Sequence, residues 1–201
     1  MRKFLKIGGF ISFALFLISV FINYGIYLDF GTGPWAVQYF LSNALSILIA
    51  LALAIALFIE NKTMAWLLFM IGTGYSLIGG IYALYGLSQV AVTLNLSAWM
   101  REIFSILLLI ATMVGWILIH DKRGQVTVII TRLIGSSFSI LYLLSITVVT
   151  SFMNRSVWSS FLISTIGAIF SSVLVIVFVL FYYYKPKQPV MTTSQNDISF
   201  E

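Results

Sequence analysis

Six stretches of the chain, near residues 7–28, 35–59, 64–86, 99–119, 126–149 and 157–184, are apolar over the length at which a helix crosses roughly 30 Å of hydrocarbon. The charges, the Gly/Pro turns and the polar clusters fall between them. A soluble domain carries about 25% charged residues, whereas this chain of 201 residues is 61% hydrophobic and 8% charged, with a mean hydropathy of +1.06. No water-soluble fold of this size could hide so much apolar surface. The sequence therefore specifies an all-α, polytopic integral membrane protein: six transmembrane helices in one compact bundle over residues 1–184, followed by a short polar tail over 185–201 that is expected to be disordered and cytoplasmic.

Lys and Arg resist translocation, so the side that collects more of them is the inner one. With the amino terminus inside, that side holds Arg2, Lys3, Lys6, Lys62, Lys122, Arg123, Lys185 and Lys187, with Arg132 added if its side chain reaches the surface, against Arg101 and Arg155 outside. Both termini are expected in the cytoplasm, and the net charge of +5 reflects membrane orientation rather than a nucleic-acid partner. Indole rings favour the headgroup level. Trp35, Trp99 and Trp158 fall at outer ends and Trp66 and Trp116 near inner ends, so all five are expected as interfacial anchors. Tyr182, Tyr183 and Tyr184, ahead of Lys185, complete an aromatic and basic inner rim.

Much chemistry lacks its parts. The chain has no cysteine, and His120 is its one histidine. With six scattered carboxylates these cannot assemble a zinc site or a Ser-His-Asp triad, so no metal, no cofactor and no enzymatic activity are expected. Met1-Arg2-Lys3 and the apolar run behind them imitate a secretory signal, but no small-x-small cleavage site follows, and the segment reads as a retained first helix. Gly72-Thr73-Gly74 is no phosphate loop, because it lies inside an apolar helix with no preceding strand. The glycosylation triplets beginning at Asn61, Asn95 and Asn154 read as chance occurrences.

Turn chemistry marks the connections. Pro34 suits the first turn of the second helix, where its missing N–H costs nothing. Thr63 and Ser156 stand where helix N-caps belong. From Gln89 to Ser97 apolar and polar residues alternate, the period of an extended segment lying over the outer mouth of the bundle or in the headgroups. Leu28-Asp29-Phe30-Gly31-Thr32-Gly33-Pro34-Trp35 resembles the turn after the first helix in small bacterial membrane proteins of the YczE type. The second span then departs from that pattern by running without a Gly-rich interruption, so no function is carried over.

Helices in a bilayer associate through close packing and hydrogen bonds, which favours small and polar residues on their contact faces. Such stripes run through Gln38, Ser42, Ser46, Ala50 and Ala54; through Gly72, Ser76 and Gly80 with Gly79 and Ala83 beside them; through Thr131, Gly135 and Ser139; and through Ser156, Ser160, Ser164, Ala168 and Ser172. Either they only pack helices, or Gln38, Asn43, Ser46 and neighbouring hydroxyls line a small polar cavity between helices 2, 3, 5 and 6. Arg132 is the one charge well inside a span, about six residues or 9 Å deep. Its side chain either reaches back to the inner headgroups or faces the bundle with Ser136 and Ser139 and offers a site for an anionic group. Asp29, Arg101, Glu102 and Arg155 form an expected outer charge cluster.

A shift of 93 residues aligns spans one to three with spans four to six and brings Asn61-Lys62-Thr63 onto Asn154-Arg155-Ser156, the pattern of a 3+3 inverted repeat. Two functions fit these features. One is a transporter-like or solute-binding protein for a small solute. The other is an accessory, immunity or assembly protein that binds partner helices in the lipid bilayer. Large soluble ligands and nucleic acid are not expected partners.

Overall fold

The structure, a computed structural model, describes residues 2–29, 33–89, 96–149 and 155–184. Those residues form six helices: α1 (Arg2–Asp29), α2 (Gly33–Phe58), α3 (Lys62–Gln89), α4 (Leu96–Ile117), α5 (Lys122–Val149) and α6 (Arg155–Tyr182). Five of them are long and apolar enough to cross a membrane, and α2 contributes the shorter apolar stretch Asn43–Phe58. Gln89, Leu96 and Ser97 are helical, which corrects the expectation of an extended segment at its two ends. Its middle, 90–95, and the tail, 185–201, lie outside the described residues.

Short connections make chain neighbours antiparallel packing partners. Each helix packs against the next, and α6 returns to α1, so the six close into a ring. The closing seam is polar: Ser19 and Ser164 share a hydrogen bond of 2.8 Å, and Ser160 donates to Asn23 Oδ1.

The α2–α3 connection shows how little chain a reversal needs. At the end of α2 the Glu60 N–H donates to Leu57 O and the Asn61 N–H to Ala56 O, a paired closure of the last carbonyls. This geometry puts Glu60 at φ 59°, a backbone region that favours glycine. A glutamate stands there because its carboxylate reaches Lys6 at 3.0 Å and Arg2 at 3.4 Å on α1. The hydrogen bond from Lys6, with the charges of Lys6 and Arg2, holds the Glu60 carboxyl below the ordinary carboxylate range. Asn61 then caps α3, its Oδ1 accepting from the Met64 N–H at 3.0 Å. The cap is therefore Asn61, and Thr63 lies inside the first turn. Ser156 is likewise within α6, which begins at Arg155.

At the α4–α5 connection two backbones touch. A Cβ on Gly124 would lie 2.0 Å from Leu118 O, and one on Gly115 would lie 2.7 Å from Val128 Cγ2. Gln125 Nε2 donates to Ile119 O at 3.1 Å and satisfies an end carbonyl of this turn.

The core gathers at the end of the ring that holds these two turns. Leu5, Ala56, Ala65, Trp116, Val128 and Phe178 are buried together there. Phe69 stacks on Trp116 at 5.4 Å and 5°, and Phe178 sits 5.1 Å from Phe69. Trp116 is 0% exposed and thus belongs to the core, not to the headgroup level expected of it. Periodicity places a tryptophan near a helix end without saying whether that end faces lipid or neighbours. Trp66 is part-buried and donates through Nε1 to Trp116 O at 3.1 Å. On the rim of the same end, Lys62 Nζ lies 4.1 Å from the centre of the Tyr183 ring, whose edge also meets His120.

The α3 stripe departs from expectation. Gly80 approaches Ile106 of α4, with 3.2 Å between an added Cβ and Ile106 Cγ1, but Gly79 and Ala83 are exposed. At about 100° per residue Gly79 and Ala83 stand within about 20° of Gly72 while Gly80 is about 80° away, so the α4 contact at Gly80 lies on a different face from the exposed pair.

Candidate functional site

Arg132 decides between its two sequence readings by where its guanidinium goes. Arg132 stands about six residues, roughly 9 Å, inside the fifth apolar span, which begins at Val126. The side chain turns into the ring instead of toward either headgroup layer. Its Nη2 donates to Thr73 Oγ1 on α3 at 3.3 Å, and its Nε is buried without a hydrogen-bond partner. The ion pairs among the described residues are Arg2 and Lys6 with Glu60, and Arg101 with Glu102, and none of them includes Arg132.

Arg132 lines two cavities. One of about 250 Å³ is lined from all six helices, with Phe16, Ser46, Thr73, Leu109, Arg132 and Ser171 each contributing from a different one. The other, about 220 Å³, lies among α4, α5 and α6 and is lined by Thr112, Arg132, Ser136, Ser139, Ser171 and Ser172. Helices 1 and 4 thus join helices 2, 3, 5 and 6 around Arg132. Phe69 forms part of the wall of the first cavity, one turn from Thr73, and with Trp116 and Phe178 it closes the site toward the basic end.

The hydroxyls have a common arrangement. Thr73 donates to Phe69 O at 2.8 Å, Ser76 to Gly72 O, Ser136 to Arg132 O and Ser139 to Gly135 O at 2.9 Å, each a turn back along its own helix. Thr112 donates to Leu108 O at 2.7 Å and lies 2.9 Å from Thr131 Oγ1, tying α4 to α5. A hydroxyl whose proton is committed to a helix carbonyl keeps its lone pairs for other donors. Of these oxygens Thr73 Oγ1 accepts from the guanidinium without neutralising it, and Arg132 Nε is a charged donor left without a partner.

Of the other residues singled out from the sequence, Asn43 is half-buried one turn before Ser46. The side chains of Gln38, Asp29 and Arg155 lie outside the described residues. Arg101 pairs with its chain neighbour Glu102 at 2.6 Å and lies 4.4 Å over the Tyr142 ring. Among the described residues no group of three His, Cys, Asp or Glu could hold a metal. Thr73, Thr112 and Ser171 were missed by sequence reasoning. Thr73 sits next to Gly72 of the α3 stripe, and Thr112 one turn before Trp116, so a rule that takes hydroxyls one turn from a buried aromatic would have found both.

No protein-family model matches the chain, and neither curated proteins nor solved structures give a match. The likeness of the Leu28–Trp35 turn to YczE-type proteins therefore carries no family assignment.

Proposed function

We propose that the chain is a transporter-like or solute-binding membrane protein that takes a small anion, or the anionic group of a solute, onto Arg132. One observation carries this reading: a guanidinium inside a membrane span, with Nε unpaired, two cavities lined by the same arginine and no ion-pair partner among the described residues. An arginine at the centre of a membrane helix costs about 2.5–3.5 kcal/mol on insertion scales, and an anion in the cavity supplies the charge that offsets it. Binding and passage, not transformation, suit a site built from one cation and hydroxyls.

In this reading the basic end faces the cytoplasm, in keeping with the Lys and Arg bias, and the Phe69–Trp116–Phe178 cluster is the inner closure. The halves α1–α3 and α4–α6 meet along α3 with α4 and α6 with α1. Rocking at those two seams is the motion that a 3+3 inverted repeat would use.

Proteoliposomes offered a panel of small carboxylates, phosphates and inorganic anions test the proposal. Uptake of at least one anion is expected, falling to background in Arg132→Gln and strongly reduced in Gln38→Ala, with membrane insertion of both variants unchanged. Uptake that is the same in both variants as in the parent removes the site assignment.

A second reading, an accessory protein that binds partner helices, draws on α3. A Cβ on Gly79 would meet nothing within 4 Å, and Gly79 and the exposed Ala83 form a small-residue face of the kind a partner helix could approach closely. A stoichiometric membrane partner that co-purifies after mild detergent extraction favours this reading, while a monodisperse lone protein counts against it.

A further inference from the structure

We infer that the solute is a single-chain amphiphilic anion, with its head on Arg132 and its apolar chain in a separate cavity between α1, α2 and α6. The inference rests on the reading of Arg132 as an anion site and names the class of anion.

The apolar cavity has a volume of about 420 Å³. It exists because small residues face it. Gly9, Ala54 and Gly167 leave room that Phe13, Leu15 and Leu174 border. A Cβ on Gly167 would stand 3.8 Å from Leu15 Cβ, an ordinary van der Waals contact, so a larger side chain there would extend into the cavity that both residues line. Four serines stand at its margin: Ser19 and Ser164 satisfy each other, Ser12 Oγ is buried without a partner, and Ser171 is shared with the cavity beside Arg132. Such an apolar space stays dry and takes an apolar guest.

Continuity with the charged site determines which guest. Phe16, Ala50, Leu53 and Ser171 line both this cavity and the one beneath Arg132. Ligand pockets commonly run from roughly 300 to 1,000 Å³. Neither Arg132 cavity reaches that range alone, whereas the apolar one does. A small hydrophilic anion would leave the apolar cavity empty, and a neutral hydrocarbon would leave Arg132 without a counter-charge. A molecule with one anionic end and one chain fills both. Carboxylate and phosphate heads share the required chemistry, each presenting two oxygens to a guanidinium.

The test uses the full chain in nanodiscs of zwitterionic lipid, with partition into empty nanodiscs subtracted. Octyl phosphate and decanoate are titrated against methyl phosphate, acetate and octanol, followed by the fluorescence of the tryptophans, of which Trp116 lies under the site. At least one of the two long-chain anions is expected to bind ten times or more tighter than its short homologue. Arg132→Gln should abolish binding of both members of that pair, and octanol should not bind. Gly167→Leu should reduce the long-chain anion to the affinity of the short one, and Leu15→Trp, which fills the same space from α1, serves where the first variant fails to fold. Equal affinities for long and short anions, both lost in Arg132→Gln, overturn the chain site and leave the anion site standing. Long-chain binding that persists in Arg132→Gln places the head elsewhere and overturns the inference. Absence of binding by every anion overturns the underlying reading of Arg132 as well.

Discussion

Replacing Arg132 with methionine is expected to stabilise the bundle by about 2–3 kcal/mol. Burial strips the guanidinium of water, and the structure returns one hydrogen bond to it, from Nη2 to Thr73 at 3.3 Å, with Nε left unpaired. That bond contributes about 1.5–3 kcal/mol at most for a charged donor of good geometry, and at 3.3 Å it falls toward the lower end. Methionine has a similar reach, an adaptable side chain and no charge to desolvate. Reversible unfolding in mixed micelles measures the difference. A loss of similar size in Arg132→Met would make the guanidinium a brace between α5 and α3 and not a held-open site. A residue that costs stability and is lost without structural penalty is expected at a binding centre.

The second large effect is steric. Gly124→Ala is expected to cost about 3 kcal/mol, since the new Cβ would lie 2.0 Å from Leu118 O and 2.9 Å from Gly115 O, both of them backbone atoms of the adjoining α4 end. The turn cannot widen without dragging the N-terminal part of α5, and with it the register that brings Arg132 opposite Thr73. Gly25→Ala serves as the control. A Cβ there would meet nothing within 4 Å, so the substitution should be neutral or gain up to about 1 kcal/mol from helix propensity. Equal stability of the two variants in the same unfolding assay would show that the α4–α5 contact is not as close as described.

How much of this was legible in the sequence differs from feature to feature. The six helices follow from apolar length, and their ends shift by a few residues because polar residues such as Lys62 and Lys122 continue a helix until a cap stops it. Arg132 stands out as a charge within a span. Its direction does not, because an arginine side chain is long enough to serve either reading and only the position of Thr73 on α3 separates them. Ring order was equally hidden: a stripe shows that a face is packed without naming the neighbour. Asn61 and Thr63 are both capping residues two positions apart, and the choice between them depends on Glu60 adopting φ 59°, which pairing with Lys6 and Arg2 makes worthwhile. Trp116 illustrates a different limit, since the same residue type serves as an anchor in the headgroups and as the largest side chain of a core.

A buried cation that an anion can reach is the centre of the proposed site. The most direct measurement is the thermal midpoint of the protein against anion concentration, taken side by side with Arg132→Met. A ligand that binds the folded state alone stabilises it by about 2.7 kcal/mol at a hundred times its Kd. The parent is expected to gain several degrees with at least one carboxylate or phosphate of the series while Arg132→Met, already higher at the start, stays flat. Parallel shifts in the two proteins, or no shift in the parent with any anion, would contradict the central claim.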